Sequence, residues 1–287
     1  MTESRDIHRP TLAERAAECE RDMTLSVTVS YDGSPFSGFA KQPGQLTVQE
    51  ELEHALSLLL RRELDVVCSG RTDAGVHARA QVVSFDVDEE ALRDRSLYSL
   101  RRSLNALTHD AISVHAVEQR PRGFSARFDA QWREYRYRIC TDDVAPVFTS
   151  NFSWHVSQPL DVEAMERAAA YLIGEHDFKS FCMAASAVGK PTCRNVHEIS
   201  FSREEVMGES LLVIKVVGNA FLHSMVRTIV GTLVAVGRGQ RKPEWVADVL
   251  AACDRSAAGE NAPACGLTFW HVEYGDLGCG PEVCHGA

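Results

Sequence analysis

The chain has 287 residues, an apolar content of 45% and a formal net charge of −10. This size allows a large buried core, in one long domain or two smaller ones. No run approaches the roughly eighteen consecutive apolar residues of a membrane span, and residues 1–6 lack the apolar core of a secretion signal. We therefore expect a cytoplasmic protein. By itself, the acidic charge argues against a nucleic-acid partner.

Patterns typical of strands and helices alternate along the first half. Residues 24–31 alternate apolar and polar side chains, as a half-buried strand does. Thr47 and Glu50 resemble a capping box, which opens a helix through about Leu60. Further predicted elements are strands at 64–68, 81–87, 112–117, 126–130 and 133–140 and a helix at 89–107.

The second half repeats this plan, with helices predicted at 162–172, 220–236 and 244–252 and strands at 196–201, 211–217 and 267–274. Two similar halves predict an α+β fold of two lobes, each a mainly antiparallel sheet with helices on one face. A ligand would bind in the cleft between them. The predicted organisation is a charged extension at 1–23, lobes at 24–141 and 142–274, and a disordered tail at 275–287.

The nine cysteines are scattered and form no CxxC motif. In a cytoplasmic chain this pattern favours buried free thiols. The segment from Cys279 to Cys284 could hold a metal in principle, but a structural zinc needs four ligands and no partner pair is visible. We therefore expect no metal site.

One segment, residues 70–78, carries most of the chemical information. It reads Gly-Arg-Thr-Asp-Ala-Gly-Val-His-Ala and lies between two predicted strands. Glycine allows a sharp bend and the close approach of another molecule. Asp73, on such a turn and two residues from Arg71, is placed to meet a ligand. In isolation, a turn former that binds its own backbone is the more common role for such an Asp73.

Arginine and aromatic residues are interleaved between residues 120 and 138. Arginine can hold phosphates while aromatic rings stack on bases, so this composition suits RNA. The alternative is a strand with one solvated charged face and one packed aromatic face. The arginines are Arg120, Arg122, Arg127, Arg133, Arg136 and Arg138, and the aromatic residues are Phe124, Phe128, Trp132, Tyr135 and Tyr137.

Lysine is scarce and acidic residues exceed basic ones. One hypothesis is a surface adapted to high salt, in which simple charge attraction would be screened. A GC-rich genome, which favours arginine codons over lysine codons, is the alternative explanation.

Taken together, these motifs resemble the TruA family of tRNA pseudouridine synthases. Residues 70–78 resemble the family signature, and the resemblance extends from about Thr24 to Tyr274. The other matching segments are 31–34, 38–39, 48–50, 124–127, Arg133, 135–137, 177–178, 180–181, 194–196, 219–227 and 266–267. Departures from the family pattern are Phe39, Ala40, Ser125, Ser224 and Phe269. None of them removes a group that performs chemistry.

The resemblance implies that uridine becomes pseudouridine in the tRNA anticodon arm, at about positions 38 to 40, from a flipped-out nucleotide. It implies no cofactor and no metal. Asp73 matches the catalytic residue, and it would either add covalently to the nucleoside or take a ribose proton to release a glycal. Both routes remain open.

The resemblance also implies the substrate-binding residues. Arg227 would pair with Asp73, Tyr135 would lie against the flipped uracil, and Leu267 would pack on the other part of the base. Arg71 would grip phosphate. Family members form homodimers, which implies the same for this chain.

Two other functional classes compete with a synthase. An RNA-binding protein could keep the cleft without catalysis, although it would not need Asp73, Tyr135 and Arg227 together. A metal-dependent RNA hydrolase would need clustered carboxylates or an HxxxH spacing, and the sequence shows neither. We expect His77 and His223 to be structural hydrogen-bonding residues.

Overall fold

A computed structural model describes residues 10–92 and 95–276. Within these residues, the strands are β1 (Met23–Tyr31), β2 (Val67–Cys68), β3 (His77–Val87), β4 (Ile112–Arg120), β5 (Trp132–Cys140), β6 (Trp154–His155), β7 (Gly174–Asp177), β8 (Cys193–Val206), β9 (Glu209–Gly218) and β10 (Leu267–Glu273). The helices are α1 (Leu12–Glu18), α2 (Val48–Leu60), α3 (Leu97–Leu107), α4 (Val162–Ala169), α5 (Ala184–Ala187), α6 (Met225–Gly237) and α7 (Trp245–Ala252).

The strands form one sheet in the order β4-β1-β3-β10-β5-β9-β8-β7, with β2 paired to β3 and β6 paired to β5. Most neighbours are antiparallel, and β10 with β3 and β5 with β6 are parallel. The predicted mainly antiparallel α+β fold is confirmed. The two halves do not form separate sheets, because β10 from the end of the chain lies between β3 and β5 and joins them.

The junction between the halves is narrow. Strands β10 and β3 are paired only at Thr268 with His77 and at Phe269 with Ala78. Strand β5 precedes the predicted lobe boundary at 141/142, yet it pairs with β9 and β10 of the second half. The boundaries of the lobes therefore stay a prediction, whereas the sheet is continuous across them.

Local sequence explains where several helices begin. The side chains of Thr47, Ser96 and Asp161 accept hydrogen bonds from the first turns of α2, α3 and α4, respectively. These caps satisfy backbone N–H groups that have no partner inside the helix. Helix α2 buries Leu52 and Leu56, which join the apolar side chains of the sheet in one core.

Four predicted elements differ from the structure. The predicted helix at 89–107 is divided into a short 3-10 helix at Glu89–Leu92 and α3, which begins only after the N-cap Ser96. Residues 126–130 form a turn rather than a strand, because the Asp129 carboxylate and backbone bind Ser125. The predicted strand at 64–68 is reduced to β2. The predicted helix at 220–236 begins only at Met225, after a turn closed by the Met225 N–H and the Leu222 carbonyl.

The predicted extension at 1–23 contains α1, which has a capping box between Thr11 and Glu14. Residues 277–287 lie outside the described residues, and with them Cys279, Cys284 and almost all of the predicted disordered tail. Among the helices in the described part of the chain, none is long and apolar enough to cross a membrane.

Candidate active site

The loop at residues 70–76, here called the Asp73 loop, connects β2 to β3 where the two halves of the sheet meet. Its backbone is held from several sides. The buried Gln81 side chain donates to the Gly70 carbonyl at 2.6 Å, and the Phe39 N–H donates to the Thr72 carbonyl at 3.1 Å. The hydroxyls of Thr72 and Tyr31 lie 2.8 Å apart. These contacts fix the position from which Asp73 projects.

His77 closes the loop as a structural residue. Its Nδ1 accepts from the Gly33 N–H at 3.0 Å, and its Nε2 lies 3.1 Å from the Cys265 carbonyl oxygen. Burial lowers the pKa of this imidazole, which favours the neutral ring that such an acceptor–donor pair requires. His77 therefore joins β1, β3 and the segment before β10.

Three side chains from one short segment surround the Asp73 carboxylate. Arg227 Nη1 lies 3.0 Å from Oδ2, and the Ser224 hydroxyl donates to the same oxygen at 2.9 Å. His223 Nε2 lies 3.2 Å from Oδ1. The carboxylate is thus held by donors from the start of α6, although its own loop belongs to the other half of the sheet.

Arg227 is itself held in place. Its Nε donates to the Ala262 carbonyl at 2.8 Å, and its backbone carbonyl accepts from the Ala262 N–H at 3.1 Å. The segment around Ala262 packs closely on α6, since a Cβ at Gly231 would lie 1.8 Å from the Glu260 carbonyl oxygen. This close packing fixes the guanidinium opposite Asp73.

Ser224 has a left-handed backbone conformation with φ 60°. It occupies the N-cap of α6, but its side chain makes no capping hydrogen bond. The hydroxyl binds Asp73 instead. Serine normally caps helices through its hydroxyl, but here the hydroxyl donates to the Asp73 carboxylate. The left-handed backbone conformation of Ser224 costs energy that glycine would not incur.

Tyr135 lies on β5 and is buried. Its ring packs edge-on against Phe221 and Phe269, with ring centroids 5.1 Å away in both cases. Burial raises the pKa of the Tyr135 hydroxyl well above its usual range, and the Asp73 charge adds to this effect. The hydroxyl therefore stays protonated at neutral pH, and among the described residues it has no hydrogen-bond partner. It can donate to a ligand.

Glycine at position 70 leaves room beside this ring. A Cβ there would lie 3.5 Å from the Tyr135 hydroxyl and 3.2 Å from the Phe269 ring. Leu267 is buried on β10 and pairs in register with Tyr137, two residues from the pair formed by Phe269 and Tyr135. Leu267 thus shares the face of the sheet on which Tyr135 lies.

Arg71 is exposed, and it makes no ion pair with Asp73 or with any other described residue. Its positive charge acts on the thiol of Cys68, whose pKa burial raises to about 11. The structure therefore brings Arg227 to Asp73 and leaves Arg71 on the surface of the same loop.

Arg133 has a structural role that its sequence context did not indicate. Its guanidinium is buried and donates to four backbone carbonyls, at Ser69, Arg127, Ala130 and Asn219. These carbonyls belong to the three segments that flank the site. Arg133 is thus a buried crosslink between them rather than a phosphate contact.

The other arginines of β5 also differ from the expectation that they would line an RNA path. Arg136 and Arg138 bind Glu204, and both stack on the Trp270 ring, at 4.0 Å and 4.9 Å from its centroid. Side chains alternate along a strand, so these two arginines lie on the face opposite Tyr135. Their side chains are only 27% and 13% exposed, so they form a partly buried charged cluster, which is closer to the alternative interpretation of a charged face than to an RNA path.

The site therefore combines an oriented carboxylate, a cation, a protonated phenol and an apolar wall. Comparison with known proteins assigns the chain to a family. The family model described as tRNA pseudouridine synthase matches residues 27–129 and 168–275. The chain belongs to this family.

Relatives of the chain match along most of its length. It is similar to the tRNA pseudouridine synthase A of Brevibacillus brevis, with 48% identity over 250 residues, which is 87% of this chain and 99% of the relative. The tRNA pseudouridine synthase A of Bacillus subtilis is 43% identical over 254 residues, 88% and 99% of the two chains. That of Halalkalibacterium halodurans is 45% identical over 244 residues, 85% and 89% of the two chains.

The ranges that match the pseudouridine synthase model contain Asp73, Arg71, Arg227 and Leu267, whereas Tyr135 lies between them. Sequence reasoning did not identify His223 and Ser224 as contacts of the carboxylate. The available signal was their position relative to Arg227. Side chains directly before a helix and in its first turn can reach the same group, and His223 and Ser224 stand directly before the first turn of α6, which contains Arg227.

Among the described residues, no group of three or more histidine, cysteine, aspartate or glutamate side chains could hold a metal ion. The site offers acid–base, nucleophilic and electrostatic chemistry through Asp73, Tyr135 and Arg227.

Proposed function

We propose that this chain isomerises uridine to pseudouridine in tRNA, with Asp73 as the catalytic carboxylate. The observation that carries the proposal is the position of Asp73 on a fixed loop, with Arg227, Ser224 and His223 around its two oxygens. These contacts fix the orientation of the Asp73 carboxylate, and either chemical route requires a carboxylate held in one position. The buried Tyr135 ring beside the site supports the binding of a planar base.

The reaction breaks the bond between ribose C1′ and uracil N1 and forms a bond between C1′ and uracil C5. Asp73 would add covalently to the nucleoside and be displaced when C5 bonds to C1′. Alternatively, it would remove a ribose proton as uracil leaves, which gives a glycal, and return that proton when the new bond forms. The detached uracil would rotate while Tyr135 and Leu267 hold it, and after the new bond forms the C5 proton would leave while N1 takes up a proton. The Tyr135 hydroxyl stays protonated and has no hydrogen-bond partner among the described residues, which supports a role in this last proton transfer.

Access to the target requires that the uridine leave its stack, which costs a few kcal/mol. Aromatic and apolar contacts from Tyr135 and Leu267 would offset this cost, and Arg71 would bind a phosphate of the displaced strand. The exposure of Arg71 and its lack of an ion-pair partner among the described residues support that role.

The proposal extends to the target and to the assembly. We place the modified uridines in the anticodon arm, at about positions 38 to 40, each modified as a flipped-out nucleotide. We also propose that the chain acts as a homodimer in the cytoplasm, where its tRNA substrate is found. Both statements rest on the family pattern of the sequence.

Release of tritium from tRNA labelled at uridine C5 tests the reaction, because forming the bond between C1′ and C5 displaces the hydrogen at C5. We expect release with the wild-type protein and none with Asp73→Asn, while Asp65→Asn keeps full activity as an exposed control carboxylate. Binding without release would favour the RNA-binding alternative, and strand cleavage would favour the hydrolase.

The target positions need a second experiment. Transcripts that carry cytidine in place of uridine at one anticodon-arm position at a time would each lose the tritium release contributed by that position. Release that is unchanged by all of these substitutions would contradict the proposed target while leaving the isomerase activity intact.

A further inference from the structure

A second exposed feature lies beside the Asp73 loop. The connection between β4 and β5, residues 121–131, presents two neighbouring side chains to solvent, Arg127 and Phe128. Phe128 is 44% exposed, which is high for a large aromatic residue, and Arg127 lies over its ring at 5.7 Å from the centroid. We call this connection the Arg127 loop.

Two observations place the Arg127 loop next to the active site. Arg133 Nη2 donates both to the Arg127 carbonyl, at 2.7 Å, and to the Ser69 carbonyl, at 3.0 Å. The backbone at Arg127 therefore lies next to the backbone at Ser69. Ser69 directly precedes the Asp73 loop. In addition, the positive charges of Arg71 and Arg127 both act on the Cys68 thiol. Both guanidinium groups therefore lie within electrostatic range of Cys68, which directly precedes Ser69.

Helix α1 packs against the Arg127 loop and contacts it through several side-chain and backbone groups. Arg15 of α1 donates through Nε to the Gly123 carbonyl at 2.9 Å and forms an ion pair with Asp129. Asp129 in turn accepts from the Ser125 N–H at 2.8 Å. Gly123 has φ +78°, and a Cβ there would lie 2.5 Å from the Ala16 backbone nitrogen.

Helix α1 lies before residue 27, where the match to the family model begins. The contacts of α1 with the Arg127 loop therefore join a segment outside the match to Gly123 and Asp129 inside it. They fix the backbone from which Arg127 and Phe128 project, and they leave both side chains exposed.

We propose that Arg127 and Phe128 form a contact surface for RNA, in which the Phe128 ring stacks on a base next to the target uridine and Arg127 binds its phosphate. Arg15 is a positioning residue that acts through this loop. The inference rests on the proposed function. An exposed aromatic ring beside cations suits a single-stranded nucleotide, because every base offers a face for stacking and every linkage a phosphate.

The stacking contact is tested with Phe128→Ala and Phe128→Tyr in steady-state assays of tritium release. We expect the alanine variant to raise KM for tRNA about tenfold and to leave kcat within about twofold, since base–aromatic stacking contributes at this scale. The tyrosine variant keeps the ring and should retain the wild-type KM. Tyr98→Ala is the matched control, because Tyr98 is 62% exposed under Arg101 on α3, beside the edge strand β4.

The phosphate contact is tested with Arg127→Gln, by the dependence of tRNA binding on salt. We expect the slope of log K against log salt to fall by about 0.7 to 0.9, the value for one lost phosphate contact. For Arg15→Ala we expect a smaller rise in KM that disappears in the Phe128→Ala background, because both changes act on the same contact.

These results separate the inference from the proposed function. If the wild-type protein releases no tritium, the proposed function fails. If it does, and Phe128→Ala keeps the wild-type KM or raises KM no more than Tyr98→Ala does, the contact surface is wrong while the isomerase stands. A shift of the Phe128→Ala variant to a smaller oligomer in light scattering would also overturn the inference, since it would assign Phe128 to a contact between copies of the chain.

Discussion

Arg227 and Asp73 form an ion pair between the two halves of the sheet, with Nη1 3.0 Å from Oδ2 although 154 positions separate the residues along the chain. Neither partner is free to move away. Asp73 lies on a loop bound by Gln81 and Tyr31, and Arg227 is bound by Ala262. The distance between Asp73 and Arg227 therefore depends on how the two halves of the sheet pack together.

Replacement of Arg227 by glutamine should slow the reaction more than it weakens tRNA binding. The variant loses a charged hydrogen bond to the catalytic carboxylate, and we expect kcat to fall about 100-fold, which corresponds to almost 3 kcal/mol. Single-turnover tritium release and filter binding measure the two effects, with Arg241→Gln as an exposed arginine control. Equal losses of rate and of binding would mean that Arg227 acts mainly on the RNA.

Two substitutions of Ser224 separate its hydrogen bond from its backbone conformation. Both Ser224→Ala and Ser224→Gly lose the donor to Asp73, and we expect each to lower kcat about tenfold. Only glycine relieves the left-handed conformation, so the glycine variant should be about 1 kcal/mol more stable than the alanine variant. Urea unfolding measures this difference. A wild-type rate in both variants would contradict the role of the hydroxyl.

The Tyr135 hydroxyl should contribute to kcat while staying protonated over the working pH range. Because burial raises the pKa of this tyrosine well above its usual range, it stays protonated throughout the accessible pH range. Tyr135→Phe should lower kcat by a factor of about 10 to 100 if the hydroxyl transfers a proton. The ratio of wild-type to variant kcat should be constant between about pH 6 and pH 9. A ratio that changes across this range would show that Tyr135 titrates there.

Glu209 should make folding stability depend on acid. Its carboxylate accepts from the Thr149 hydroxyl and from the N–H groups of residues 147 to 149, which lowers its pKa to about 2 from the model-compound value of 4.5. Stability from a depressed pKa is present above the unfolded value and is lost as pH falls toward the folded value. Glu209→Gln should therefore be less stable than wild type at pH 7, and the gap should shrink from about pH 4.5 to pH 2.

Urea unfolding of both proteins across this range measures the gap. A constant difference between them would mean that the hydrogen bonds of Glu209 do not favour its ionised form.

Gly231→Ala tests whether the packing of α6 supports catalysis. The new methyl group would lie 1.8 Å from the Glu260 carbonyl oxygen, so the segment that carries Ala262 must shift. We expect a loss of about 1 to 3 kcal/mol in the free energy of unfolding, together with a lower kcat because Ala262 no longer holds Arg227. Wild-type kcat in a destabilised variant would show that Arg227 does not depend on this segment.

Much of the fold could be predicted from local sequence. The alternation in β1 and the cap at Thr47 are short-range signals, and the structure confirms the strand and the helix that they predicted. Residues 126–130 were mispredicted as a strand because the Ser125 N–H donates to the Asp129 carboxylate and closes a turn there. A pattern of apolar and polar positions does not register such a side-chain hydrogen bond.

The sequence alone determined that Asp73 lies on a glycine-flanked turn, and its motifs indicated which other residues belong to the same site. Only the tertiary structure decided what surrounds the carboxylate. His223 and Ser224 reach it because β10 joins the halves and brings the start of α6 to the Asp73 loop. The tertiary structure also decided the roles of the arginines of β5. Arg133 is a buried crosslink between backbone segments, whereas Arg136 lies on the opposite face of the strand and binds carboxylates. The reason is physical: periodicity specifies which face a side chain takes on its own strand, whereas contacts between distant segments depend on how whole elements pack.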